Sequence, residues 1–89
     1  MISKTTLSFW EGYWSLPKEI QKKARASYKM WRDNPAHPSL HFKRVKDNKP
    51  VYSVRVTLDY RAIGLLEEDT VTWFWIGKHS DYDKFLSKL

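Results

Sequence analysis

Cysteine is absent from the 89 residues of this chain. That excludes disulfides, Cys-ligated zinc and thiol nucleophiles, and leaves packing alone to hold a core. Long apolar runs are absent too, none approaching the roughly 18–20 residues of a membrane-spanning helix. The first residues, Met1-Ile2-Ser3-Lys4-Thr5-Thr6, carry no apolar stretch of the kind a secretory leader needs. No internal repeat, low-complexity tract or long linker breaks the chain, so residues 1–89 are expected to fold as a single domain in the cytoplasm. Against these absences stand 42% hydrophobic and 16% aromatic residues, too many for a disordered chain.

Acidic residues are scarce where basic ones gather. Residues 18–55 hold eleven cations, from Lys18 to Arg55, against Glu19, Asp33 and Asp47, a net charge of +8 within a chain of net +6. Such asymmetry suits a polyanion, an acidic protein partner, or both.

Ser8-Phe9-Trp10-Glu11 has the form of a capping box and predicts a short helix over about 9–15, after a short strand near 2–7. Leu16-Pro17 opens a second helix, since the N–H that proline lacks would be unpaired there anyway. Leu16, Ile20, Ala24, Ser27 and Trp31 form its apolar stripe, and Lys18, Lys22, Arg25, Lys29 and Arg32 form a basic one. Asp33-Asn34-Pro35 ends the helix. From Leu40 the period becomes two. Leu40, Phe42 and Arg44 are expected on one face of a strand and His41, Lys43 and Val45 on the other. Lys46 to Pro50 is turn chemistry. Tyr52, Val54, Val56 and Leu58 then alternate with Ser53, Arg55 and Thr57. Strands over Tyr60–Leu66 and Val71–Gly77 follow, separated by Glu67-Glu68-Asp69. A closing helix is expected from Ser80, capped through Asp83, with Tyr82, Phe85, Leu86 and Leu89 inward. Helices first and hairpin strands afterwards predict an α+β domain, its N-terminal helices on one face of a small, mainly antiparallel sheet.

Several phrases carry a resemblance: Leu16-Pro17-Lys18-Glu19-Ile20-Gln21, Asn34-Pro35 through His37-Pro38-Ser39-Leu40, Tyr52-Ser53-Val54-Arg55-Val56, Asp59-Tyr60-Arg61-Ala62, and Trp75 through Asp83. In order and spacing they are similar to the RelE/ParE superfamily of bacterial type II toxins, over about residues 7–86. The resemblance implies a RelE-like toxin, a ribosome-dependent mRNA endonuclease silenced by a cognate antitoxin. It implies cleavage without metal or cofactor: the 2′-hydroxyl attacks its own phosphate and a 5′-hydroxyl leaves. The alternatives within the superfamily are a ParE-like inhibitor of DNA gyrase and an inactive, protein-binding remnant.

On the same resemblance, Arg61 matches a strand arginine that stabilises the phosphate, and Arg55 a basic strand position of RNA-cleaving relatives. A bidentate guanidinium suits that task; the competing role for Arg61 is a salt bridge to Glu67 or Glu68. His79 stands where relatives carry Arg or His near the scissile phosphate, and histidine is the natural acid or base near neutrality; its competing role is to cap the closing helix. Tyr82 matches a C-terminal tyrosine that stacks or moves a proton, and otherwise is a core aromatic. Lys43, Arg44, Lys46 and Lys78 are candidate RNA contacts. Where some relatives have a second lysine this chain has Ser53, which takes one cation from the phosphate cluster and counts toward the inactive alternative; Lys43 and Arg44 on the neighbouring strand are candidate substitutes. His37 and His41 lie four apart without a helix, cysteine or carboxylate to complete a zinc site, so no metal is expected. Trp73 and Trp75, two apart on one strand, are expected to share the helix-covered face as core rather than stack on bases.

Overall fold

A computed structural model describes all residues, Met1–Leu89. Strand β1 (Ile2–Thr5) leads through helices α1 (Leu7–Trp14) and α2 (Lys18–Asp33) to a short 3-10 turn, Pro38–Leu40. Strands β2 (Lys43–Arg44), β3 (Val51–Thr57), β4 (Tyr60–Glu67) and β5 (Thr70–Lys78) follow, and helix α3 (His79–Ser87) closes the chain. The sheet runs β1-β5-β4-β3-β2, antiparallel except for β1, which lies parallel to β5. No helix is long and apolar enough to cross a membrane.

Helices α1 and α2 cover one face. Trp31, projecting from the apolar stripe of α2, meets Trp73 edge-on at 5.3 Å and Phe42 at 5.7 Å, over a floor that includes Val54, Ala62, Val71 and Ile76. Trp31 is 1% exposed. Its Nε1 finds no acceptor, whereas Trp73 Nε1 donates to Ser3 Oγ at 3.1 Å and ties the core to β1. Helix α3 packs on the opposite face, where Tyr82, Phe85, Leu86 and Leu89 close over Val51, Ile63 and Trp75. The three helices therefore sandwich the sheet, and α3 leaves one end of its face open.

Three of the shifts from the predicted boundaries have a visible cause. Helix α1 begins earlier than the Ser8–Glu11 pattern suggests, because Thr6 is its cap: Phe9 N–H donates to Thr6 Oγ1 at 3.2 Å, while Ser8 Oγ donates to the Phe74 carbonyl across the sheet. Helix α3 starts at His79 with Lys78 in the cap position and no side-chain cap, so the Ser80–Asp83 box does not form. The strand expected over 40–45 shortens to Lys43–Arg44, because the 3-10 turn ends with His41 in the left-handed region at φ 47°.

Trp73 and Trp75 do not share a face. The β4–β5 register slips by one between Ile63, opposite Trp75, and Gly64, opposite Trp73, so Phe74 is an extra residue on β5. Trp73 consequently points into the α1–α2 core, whereas Trp75 stacks against Phe85 of α3 at 5.3 Å. Gly64 is what admits the Trp73 ring: a Cβ there would lie 2.6 Å from Val71 Cγ1 and 2.9 Å from Trp73 Cε3. Gly64→Ala is expected to destabilise by about 1–3 kcal/mol through overpacking. A denaturant melt with an unchanged midpoint would mean the ring has room to move aside.

Candidate active site

The open end of the α3 face is built from the β3–β4 hairpin and the start of α3. Arg55 and Arg61 sit directly opposite each other on β3 and β4, on the face that Ile63 shares with α3. Like charges in that position oppose pairing, and no carboxylate lies within salt-bridge distance of either. A bridge from Arg61 to Glu67 or Glu68 is therefore not formed. Instead Arg61 Nη1 donates to the carbonyls of Thr57, Leu58 and Tyr60 at 2.6, 3.1 and 3.0 Å, which fixes the guanidinium over the hairpin turn. Desolvation by burial, and then the charge of Arg55, pull the Arg61 pKa below the usual arginine value; Tyr82, Asp59 and Asp83 pull weakly the other way. An arginine stays cationic at neutral pH regardless, so Arg55 and Arg61 place two positive charges side by side on the sheet.

A polar cleft of about 230 Å³ surrounds this pair, lined by His41, Lys43, Ser53, Arg55, Leu58, Arg61, His79 and Tyr82. Helix α3 delivers its two residues through a backbone anchor: His79 N–H donates to the Asp59 carbonyl at 2.7 Å, docking the helix start on the hairpin turn. His79 Nδ1 faces Asp83 Oδ2 at 3.9 Å across one helical turn, and its ring lies 5.5 Å from that of Tyr82. The histidine is the first residue of α3 rather than its cap. Tyr82 is a core aromatic, its ring buried among Val51 and Ile63, and its side chain also lines the cleft.

Of the residues singled out by sequence, Arg55, Arg61, His79, Tyr82 and Lys43 converge on the cleft. Lys43 is the cross-strand partner of Ser53, so it brings a cation to the place where a lysine at 53 would have reached. Arg44 points elsewhere, donating from Nε to the Lys46 carbonyl and from Nη2 to the Asp47 carbonyl, and so braces the β2–β3 loop. Lys46 lies in that loop, and Lys78 is exposed at the end of β5; neither lines the cleft. The residue that sequence reasoning missed is His41, whose Nε2 receives a hydrogen bond from Arg55 Nη1 at 3.1 Å. The available signal was its alternation with Lys43. His37 is engaged apart from it, its Nδ1 accepting from Ser39 N–H at 3.2 Å to cap the 3-10 turn.

On the face covered by α1 and α2 a larger groove, about 670 Å³, opens between those helices. Its walls are aromatic, with Trp10 and Trp14 from α1 facing Tyr28 from α2 over Trp73. Trp14 is 68% exposed. The basic stripe of α2 borders this groove, and part of it is engaged: Arg25 Nη1 donates to Tyr13 Oη at 2.6 Å, and Arg32 lies 3.6 Å from Asp33.

Residues 18–84, three quarters of the chain, match the model of a ParE-like toxin domain. The chain belongs to the ParE-like toxin domain family. No curated protein matches it. Among solved structures, this ParE-like domain is similar to a chain of the RelB–RelE antitoxin–toxin complex from Methanococcus jannaschii, with a TM-score of 0.73, 19% identity and coverage of 92% of this chain and 98% of that one. It is similar also to YafQ from Escherichia coli, with a TM-score of 0.73, 13% identity and coverage of 90% and 94%. The YoeB/ParE toxin from Agrobacterium tumefaciens gives 0.69, 16% identity and coverage of 89% and 99%. At these identities the likeness shows the fold, which is that of type II toxins.

Proposed function

We propose that this ParE-like domain is the toxin of a type II toxin–antitoxin pair and that it cuts mRNA on the ribosome. The observation that carries the reading is the polar cleft. Arg55, Arg61 and Lys43 line it without a single carboxylate, beside two histidines and a tyrosine. Cleavage by the neighbouring 2′-hydroxyl needs cations where charge builds on the phosphorane, a proton acceptor for the attacking oxygen and a proton donor for the leaving one. Arg61, locked by three backbone carbonyls, supplies a charge already in place, so no reorganisation accompanies the reaction. His79, at the helix start and held near Asp83, donates the proton to the departing 5′-oxygen. Tyr82 shapes the wall of the cleft beside it.

An antitoxin is the partner this reading requires. One structural neighbour above is an antitoxin–toxin complex and another is a YoeB/ParE toxin, and the exposed aromatic groove between α1 and α2 is a surface that an amphipathic segment of such a partner would cover. Acidic residues on that segment would meet the basic stripe of α2.

A second reading, inhibition of DNA gyrase, is favoured by the match to a ParE-like family model. One experiment separates the two: purified protein is added to a reconstituted translation reaction and to a gyrase supercoiling reaction. Cuts in ribosome-bound mRNA with supercoiling intact support the endonuclease; loss of supercoiling with intact mRNA replaces it with the gyrase reading.

His79→Ala is expected to slow cleavage by about 10²-fold, the lower end of what general acid–base catalysis contributes. It should also change the shape of the pH–rate profile, because the group that gives the proton to the leaving oxygen is gone. An unchanged profile would remove His79 from proton transfer.

A further inference from the structure

We propose that His41 is the base of the cleft, accepting the proton of the attacking 2′-hydroxyl, and that Arg55 holds it in the required tautomer until a phosphate draws Arg55 away. The inference rests on the endonuclease reading and assigns a residue that the sequence pattern did not point to.

The hydrogen bond between the two side chains defines the proton positions. A guanidinium only donates, so the 3.1 Å contact from Arg55 Nη1 to His41 Nε2 requires the lone pair on Nε2 and the proton on Nδ1. A neutral imidazole is thereby presented to the cleft with its basic nitrogen beside a cation suited to grip the scissile phosphate. When the phosphate oxygens take over the donors of Arg55, Nε2 is released next to the nucleotide that has to lose a proton.

His41 sits at φ 47° and ψ 43°, the left-handed residue that closes the 3-10 turn. Its neighbours fix it: Leu40 is buried before it, and Phe42 after it packs edge-on against Trp31.

His41 comes from the β2 edge of the cleft and His79 from the α3 side, so the two imidazoles reach the same space from different elements. The other charged or titratable groups facing it are Lys43, Arg55, Arg61 and Tyr82. In the step assigned, the 2′-O–H proton passes to His41 Nε2 as the O2′–P bond forms. The P–O5′ bond breaks, and O5′ takes a proton from the imidazolium of His79. The products are a 2′,3′-cyclic phosphate and a 5′-hydroxyl, with His41 left charged and His79 neutral.

The test compares wild-type protein with His41→Asn in cleavage of ribosome-bound mRNA across the pH range around neutrality. Asparagine tolerates the left-handed backbone and can still accept from Arg55, yet cannot take up the proton. The expected result is a rate lower by about 10²–10³-fold, loss of the limb that rises with pH, and an unchanged melting temperature. Ring-nitrogen NMR of the free wild-type protein should show His41 protonated at Nδ1. Wild-type cleavage that His41→Asn retains, or a ring protonated at Nε2, overturns the assignment alone. No cleavage by the wild-type protein overturns the endonuclease reading and the base with it.

Discussion

Arg61→Ala is expected to reduce cleavage of ribosome-bound mRNA by about 10²–10³-fold, the range seen when one fixed donor to a developing oxyanion is removed. Its Nη1 is consumed by the carbonyls of Thr57, Leu58 and Tyr60, so the remaining donors are presented from a guanidinium that cannot swing away. The variant also leaves those carbonyls without their donor. A stability loss of about 0.5–1.5 kcal/mol per net hydrogen bond is therefore the background to subtract. Arg61→Lys separates the two effects: an ammonium keeps the charge but cannot fork between the turn and a phosphate. Lysine should therefore recover little of the rate. Full-rate cleavage by the alanine variant would mean that the charge on β4 does not act on the phosphate.

Trp73→Ala is expected to destabilise by about 3–5 kcal/mol, as for other large aromatic truncations in cores. The ring is almost wholly buried, lies edge-on to Trp31 at 5.3 Å and 6.3 Å from Phe42, and holds β1 through Ser3. Its loss therefore opens the contact between α2, the loop before β2, and the sheet. A domain of this size has a total stability of about 5–15 kcal/mol, and each kcal/mol lowers the melting midpoint by about 4–8 °C. A circular-dichroism melt reads this directly. Trp31→Phe should cost less than Trp73→Phe, because Trp31 Nε1 has no partner to lose. Equal losses would mean that the hydrogen bond to Ser3 contributes little.

Helix α2 and strand β3 were legible because a single physical requirement wrote each pattern. The stripe Leu16–Ile20–Ala24–Ser27–Trp31 is the face buried on the sheet, and the alternation over 51–57 puts Val54 on one side with Ser53 and Arg55 on the other. The convergence of Arg55, Arg61, His79 and Tyr82 was readable only through the resemblance to toxins, since no local rule links β3 to α3. The bulge at Phe74 left no mark in composition, yet it reverses the side on which Trp75 lies. The alternation puts His41 on the face of Lys43, and both line the cleft; what no local pattern shows is its contact with Arg55, 14 residues away. Thr6 displaced Ser8 as a cap because Ser8 Oγ is spent across the sheet on the Phe74 carbonyl, a tertiary contact that a four-residue motif cannot foresee.

Action on mRNA is the role proposed for the cationic cleft at the α3 end of the sheet. It is tested most directly by inducing the protein in a bacterial host and mapping the 5′ ends of abundant mRNAs by primer extension, with Arg61→Ala as the paired control. The expected result is growth arrest with new ends clustered in translated frames, both abolished by the substitution. Arrest with intact mRNA, or cuts that persist in Arg61→Ala, would contradict it.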